Sequence, residues 1–147
     1  MKEKYWGRFS ATYDKGLEYV VGKALLDKIK QELNHLSGLG NLLELGCGTG
    51  YFTETVVDKA ETIFATDLSE TLLEETRKRM GTNPKVSIQK ENCMETSFSS
   101  ESFDSVFMAN LIHVVEYPMK VLEDSYRVLK NRGRLIIVSF TVHGMEF

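Results

Sequence analysis

The chain has 147 residues, 42% of them hydrophobic and 27% charged, with a formal net charge of −3. That size and balance describe one soluble globular domain with a real core, and the charge supplies no basic footprint for nucleic acid. No apolar run approaches the roughly 20 residues that span a bilayer.

The opening "MKEKYWGRFS" lacks the apolar stretch of a secretory signal. Tyr5, Trp6, Phe9 and Tyr13 follow at a spacing that suits either a helix packing stripe or an aromatic lid. From Leu17 to Leu36, apolar residues at Val20, Val21, Ala24, Leu25, Ile29 and Leu33 predict a helix that "SGLG" ends. "NLLEL" reads as a buried strand, followed by the glycine loop "GCGTG" and a short helix over about 51–59. "TIFATD" (Thr62–Asp67) predicts a second strand, and Ser69 an N-cap for a helix reaching Met80. "KVSIQ" and "FDSVFMA" (Phe103–Ala109) predict strands three and four. Pro118 suits the first turn of a helix running to about Lys130. "NRG" is expected to turn the chain into a fifth strand, "RLIIVSF".

Strands alternating with helices imply right-handed βαβ crossovers and a parallel sheet. The fold class is therefore α/β, a Rossmann-like doubly wound sheet of five strands flanked by helices. Residues 1–147 read as a single domain, with 1–40 as its N-terminal helical and lid segment.

In such sheets ligands bind beyond the carboxyl ends of the strands, where strand order reverses. "GCGTG" sits there. A glycine-rich turn can also be no more than a tight connection, so three features matter. Gly46, Gly48 and Gly50 are spaced G-x-G-x-G, one residue shorter than the dinucleotide pattern G-x-G-x-x-G. Glu44 precedes the loop, where a carboxylate would repel a pyrophosphate but suit an ammonium group. Asp67 ends the second strand about 20 residues on, where an acid accepts ribose hydroxyls. Together they describe a ligand with a ribose, a cationic tail and no phosphate.

At these residues the chain resembles the class I S-adenosylmethionine-dependent methyltransferases, whose loop reads E/D-x-G-x-G-x-G. "ELGCGTG" and "ATDLS" carry the resemblance most strongly. "WGRFSATYDKGL", "ENCMETSFSSESFDSVFMANLIHVV" and "SYRVLKNRGRLIIVS" extend it over nearly the whole chain. The resemblance implies that Gly46, Cys47, Gly48 and Gly50 line the donor's methionine and ribose, with Glu44 near the ammonium and Asp67 on the ribose. Leu68 would pack on the adenine, and Asn92, where many relatives have Asp, would accept its amino group, with Cys93 and Met94 beside it. Asn110 would lie beside the sulfonium, and Tyr13 would be the lid contact, since aromatic faces favour a cation.

The implied function is methyl transfer from S-adenosylmethionine to a small-molecule acceptor, leaving S-adenosylhomocysteine. His113 is the one general-base candidate, relevant only if the acceptor must lose a proton. Two rivals stand beside this reading. One is a nicotinamide-dependent oxidoreductase, which the early third glycine and Glu44 oppose. The other is a domain that binds the donor without catalysis. In relatives the sheet continues after the fifth strand with a helix and an antiparallel strand pair, whereas this sequence stops at Phe147. A short form missing those strands would leave the fifth strand as an edge guarded only by Arg134. A homodimer through Arg134–Thr141, or a poorly ordered end at His143–Phe147, is the resulting expectation.

Overall fold

The computed structural model describes residues 12–139. Tyr5, Trp6, Phe9, the side chain of Tyr13 and residues 140–147 lie outside the described set. In chain order the elements are α1 (Tyr13–Val21), α2 (Lys23–Asn34), β1 (Gly40–Leu45), α3 (Thr53–Val56), β2 (Ala60–Asp67), α4 (Glu70–Met80), β3 (Val86–Lys90), β4 (Phe103–Ala109), α5 (Pro118–Val128) and β5 (Leu129–Val138). One sheet holds all five strands in the order β3-β2-β1-β4-β5, with every pairing parallel.

Alternation of side chains along each strand builds two apolar layers. Leu42, Ile63 and Phe107 face Leu26, Leu33, Val56 and Met80 on one side of the sheet. Leu43, Leu45, Val106 and Met108 face Val121 and Val128 on the other. Phe64, Phe98 and Phe103 meet edge to face at 5.0–5.9 Å between ring centroids in that second layer.

Three local expectations are corrected by backbone geometry. The helix expected from Leu17 to Leu36 is two, because Gly22 takes φ 91° and ψ 132°, which no α-helix admits. The helix over 51–59 is one turn at Thr53–Val56 and a 3₁₀ turn at Val57–Lys59. "NRG" does not turn the chain between elements. It lies inside β5, where register slips between Phe103 and Ser105 of the facing strand and Arg132 has φ 64°. An irregularity of that kind lets the strand begin directly at the end of α5.

The other boundaries follow the sequence. Ser69 caps α4, its Oγ accepting the Leu72 N–H at 3.3 Å. Among the described residues β3 and β5 are the sheet's two edges. Leu135 and Ile137 of β5 are 39% and 40% exposed. Arg134 is not a free guard of that edge, since its guanidinium donates to the carbonyls of Ser37 and Gly38 at 2.6 and 2.8 Å.

Candidate functional site

The reversal of strand order falls between β1 and β4, whose first connections leave in opposite directions across the sheet. An open cavity of about 860 Å³, solvent-filled mouth included, lies there. Its walls come from the carboxyl ends of four strands. Gly46 and Gly48 follow β1, Thr66, Asp67 and Leu68 close β2, and Glu91–Met94 follow β3. Asn110, Leu111, Val114, Val115 and Glu116 follow β4, and Leu72 reaches in from α4.

The glycine loop is shaped for close approach. Gly46, Gly48 and Gly50 have φ of 66°, 58° and 84°, a region L side chains rarely adopt. A Cβ on Gly46 would stand 2.9 Å from Leu111 Cδ1. The side chain missing there keeps the floor of the cavity open. Thr76 Oγ1 donates to the Gly48 carbonyl at 2.7 Å and the Cys47 N–H to the Thr66 carbonyl at 2.9 Å.

Asp67 holds the loop from the cavity side. Its Oδ2 accepts the Gly48 N–H and its Oδ1 the Ser69 N–H, both at 2.9 Å. Burial pushes its carboxyl up from the usual range, and the N–H groups of Ser69, Gly48 and Leu68 oppose that push. A carboxylate offers about four acceptor directions, so room remains for further donors. The turn after β3 is secured at its far end. Asn92 Oδ1 accepts the Met94 N–H at 3.0 Å, and Arg127 donates to the carbonyls of Phe98 and Thr96. Glu91 accepts from Gln89, from the Ser97 N–H and from the Ser97 hydroxyl.

Eight of the residues singled out from the sequence line this cavity: Gly46, Gly48, Asp67, Leu68, Asn92, Cys93, Met94 and Asn110. Others stand elsewhere. Glu44 shares a sheet face with Leu42, so its side chain runs beneath the loop towards α3. It is 2% exposed, and Thr53 Oγ1 donates to its Oε2 at 2.6 Å. Burial raises its pKa to about 7; the Thr53 bond lowers it and the Asp67 charge adds to the rise. Cys47 is buried behind the loop, with Sγ 3.7 Å from Thr76 Oγ1. Gly50 faces Thr76 and Arg79 of α4.

His113 is exposed and outside the cavity wall, with Nδ1 3.3 Å from Ser139 Oγ. The turn over Leu111–Val115 carries Leu111, Val114 and Val115 inward and leaves the imidazole outside. The general-base expectation for His113 therefore stands without a place for its imidazole among the lining residues. Sequence reasoning missed the apolar wall of Leu72, Leu111, Val114 and Val115, and the acids Glu91 and Glu116. For all but Leu72, which lies in α4, the one available signal was position just after strands three and four. Among the described residues no group of three or more His, Cys, Asp or Glu could hold a metal ion.

The charges of the wall are those of Asp67, Glu91 and Glu116, with no Lys, Arg or His among the lining residues. The methyltransferase domain family matches residues 43–137, from β1 through β5. The chain belongs to the class I S-adenosylmethionine-dependent methyltransferases.

It is 31% identical over 100 residues to a demethylmenaquinone methyltransferase of Clavibacter sepedonicus, covering 68% of this chain and 41% of that relative. It is 30% identical to a solved S-adenosylmethionine-dependent methyltransferase of Thermotoga maritima, with a TM-score of 0.73 over 92% of this chain and 60% of the other. The DhpI–SAM–HEP complex shares the fold at a TM-score of 0.76 and 23% identity, over 96% of this chain and 65% of that one. The chain thus spans less than two thirds of each of these relatives. Family membership removes the nicotinamide-dependent alternative.

Proposed function

We propose that this chain transfers a methyl group from S-adenosylmethionine to a small-molecule acceptor. The observation that carries the reading is the cavity's charge: three acids and no base around a glycine floor. Such a wall suits a donor with an ammonium, a sulfonium and a ribose. It disfavours the pyrophosphate of a dinucleotide. Gly46 and Gly48 leave room for the donor's methionine and ribose, with Asp67 accepting from the ribose hydroxyls. Leu68, Asn92, Cys93 and Met94 form the adenine side.

When bound, the donor supplies a methyl group already made electrophilic by its sulfonium. The protein's part is alignment of the acceptor and exclusion of water. Leu111, Val114 and Val115 give the β4 side of the cavity an apolar wall. Asn110 stands at the exit of β4 with φ 58°, a conformation Asn tolerates better than most residues. It turns the chain there and lines the cavity. The same acids favour a neutral or cationic acceptor over an anionic one. Two free thiols, Cys47 and Cys93, fit a cytoplasmic setting. The exposed β5 edge keeps the homodimer in play, and sedimentation velocity tests it: a clean monomer removes it.

The deciding experiment for function has two stages. Calorimetric titration with S-adenosylhomocysteine and with NAD should give binding to the first only. A methyl-transfer screen over neutral, amine and carboxylate acceptors should then give turnover with neutral or amine compounds. Tight donor binding with no turnover on any acceptor would favour the binding-only reading.

A further inference from the structure

The glycine loop is gripped from a second direction, by an element far away in sequence. Thr49, between Gly48 and Gly50, is 3% exposed and turns its hydroxyl away from the cavity lining. Thr49 Oγ1 donates to Asp14 Oδ1 at 2.6 Å, across 35 residues of chain. Asp14 Oδ2 accepts from the Arg79 guanidinium of α4, and Arg79 Nε stands 3.6 Å from Glu54 of α3. One carboxylate therefore joins α1, the loop and α4.

The rest of α1 is attached lightly. Leu17 is its one buried side chain among those described, whereas Tyr19 and Val20 are 91% and 79% exposed. Gly22, with φ 91°, separates α1 from α2 and gives the chain a natural pivot. The loop it touches has three residues at positive φ, and such glycine-rich backbone loses much conformational freedom when fixed. Thr76 and Asp67 fix the loop at Gly48. Asp14 fixes the neighbouring residue.

We propose that Asp14 is a positioning residue for the donor: through Thr49 and Arg79 it holds the glycine loop in its binding shape and links docking of α1 to donor occupancy. The inference rests on the loop being the donor site. Linkage is reciprocal, so a ligand that favours the ordered loop must also tighten α1. A contact that only stabilised the fold would change melting without that exchange of effects.

The test compares wild type, Asp14→Ala, Thr49→Val and the double variant. Thr49→Val keeps the side chain's volume and removes only the hydroxyl, so it serves if Asp14→Ala folds poorly. The readouts are S-adenosylhomocysteine affinity by calorimetry and amide hydrogen exchange over α1 and residues 46–50. We expect each single variant to bind about 5–30-fold more weakly, a coupling of the size usual between linked sites. The double variant should be no weaker than the weaker single. Ligand should slow α1 exchange in wild type and not in Asp14→Ala. Affinity equal to wild type in Thr49→Val, additive losses, or α1 exchange indifferent to ligand would each overturn the proposal. If wild type binds no S-adenosylhomocysteine, the functional reading fails separately. The latch is then judged on the free protein, where Asp14→Ala must speed exchange at 46–50 and unchanged exchange refutes it.

Discussion

Two connections leave the carboxyl ends of the central strands, one after β1 and one after β4, and they are built differently. After β1, Cys47 and Thr49 are buried, and the loop is bonded to β2, α4 and α1. After β4, the backbone is held by the Asn110 N–H to the Val138 carbonyl and the Val114 N–H to the Leu111 carbonyl. His113 and Glu116 are exposed there, as is Tyr117 at 50%. On the proposed function, a donor of fixed shape rewards a preformed loop, and the more open connection is the side left to the acceptor.

The largest expected break comes from filling the rigid side. Gly46→Val puts a branched side chain at φ 66° and within 2.9 Å of Leu111. We expect S-adenosylhomocysteine affinity to fall by roughly a hundredfold or more, from strain and lost space together. Calorimetry checks it, with circular dichroism to confirm folding; an unchanged affinity would mean the glycines serve only the turn.

Asp67→Ala comes next. Losing hydrogen bonds to a charged group costs about 1.5–3 kcal/mol, so affinity for the same ligand should drop by about 10- to 150-fold. An equal drop on mutating the β4 side, at Glu116→Ala, would erase the contrast between the two connections.

Glu44→Gln sharpens the comparison through pH. A carboxyl raised from 4.5 to about 7 keeps its proton in the folded state where the unfolded chain has lost it. Its contribution to stability is full below about pH 4.5, declines as pH rises towards 7 and is gone above that. Between pH 5 and 7 the decline is of order 2 kcal/mol at about 1.36 kcal/mol per pK unit. Urea melts of Glu44→Gln should lack that decline relative to wild type. Parallel pH profiles for the two proteins would show that Glu44 ionises as an ordinary carboxyl.

The smallest effect belongs to His113→Ala, an exposed residue of the open connection. Stability should change by less than about 0.5 kcal/mol, and donor affinity and turnover should stay near wild type. A fall in turnover of about 10²–10⁴, the range for a lost general base, would return His113 to the chemistry.

The same contrast governs what the sequence made legible. Alternating and continuous apolar runs located all five strands, and capping at Ser69 and Pro118 located two helix starts. The break at Gly22 and the irregular β5 at Asn131–Gly133 depend on φ values that residue type alone leaves open. On the donor side, glycine spacing and Asp67 marked cavity residues because their role is carried by backbone shape and one fixed acid. Glu44 is expected near the donor's ammonium, and strand alternation sets its side chain on the face of Leu42, beneath the loop, where Thr53 donates to it. On the β4 side the wall is Leu111, Val114 and Val115, ordinary core residues by type. Nothing in a run of aliphatics tells which of them faces a ligand.

The strand order has a consequence for how the chain is made. β1 lies at the centre of the sheet, yet its partner β4 is encoded far downstream; Asn41 and Asp104, which bond across that pair, are 63 residues apart. At roughly 5–20 residues per second of synthesis, about 3–13 s pass between the emergence of one and the other. For that interval "LLEL" has only β2 to pair with, and one edge of this central strand is open to water and to other nascent chains. Newly made copies are therefore exposed to misassembly at a strand that later lies in the middle of the sheet.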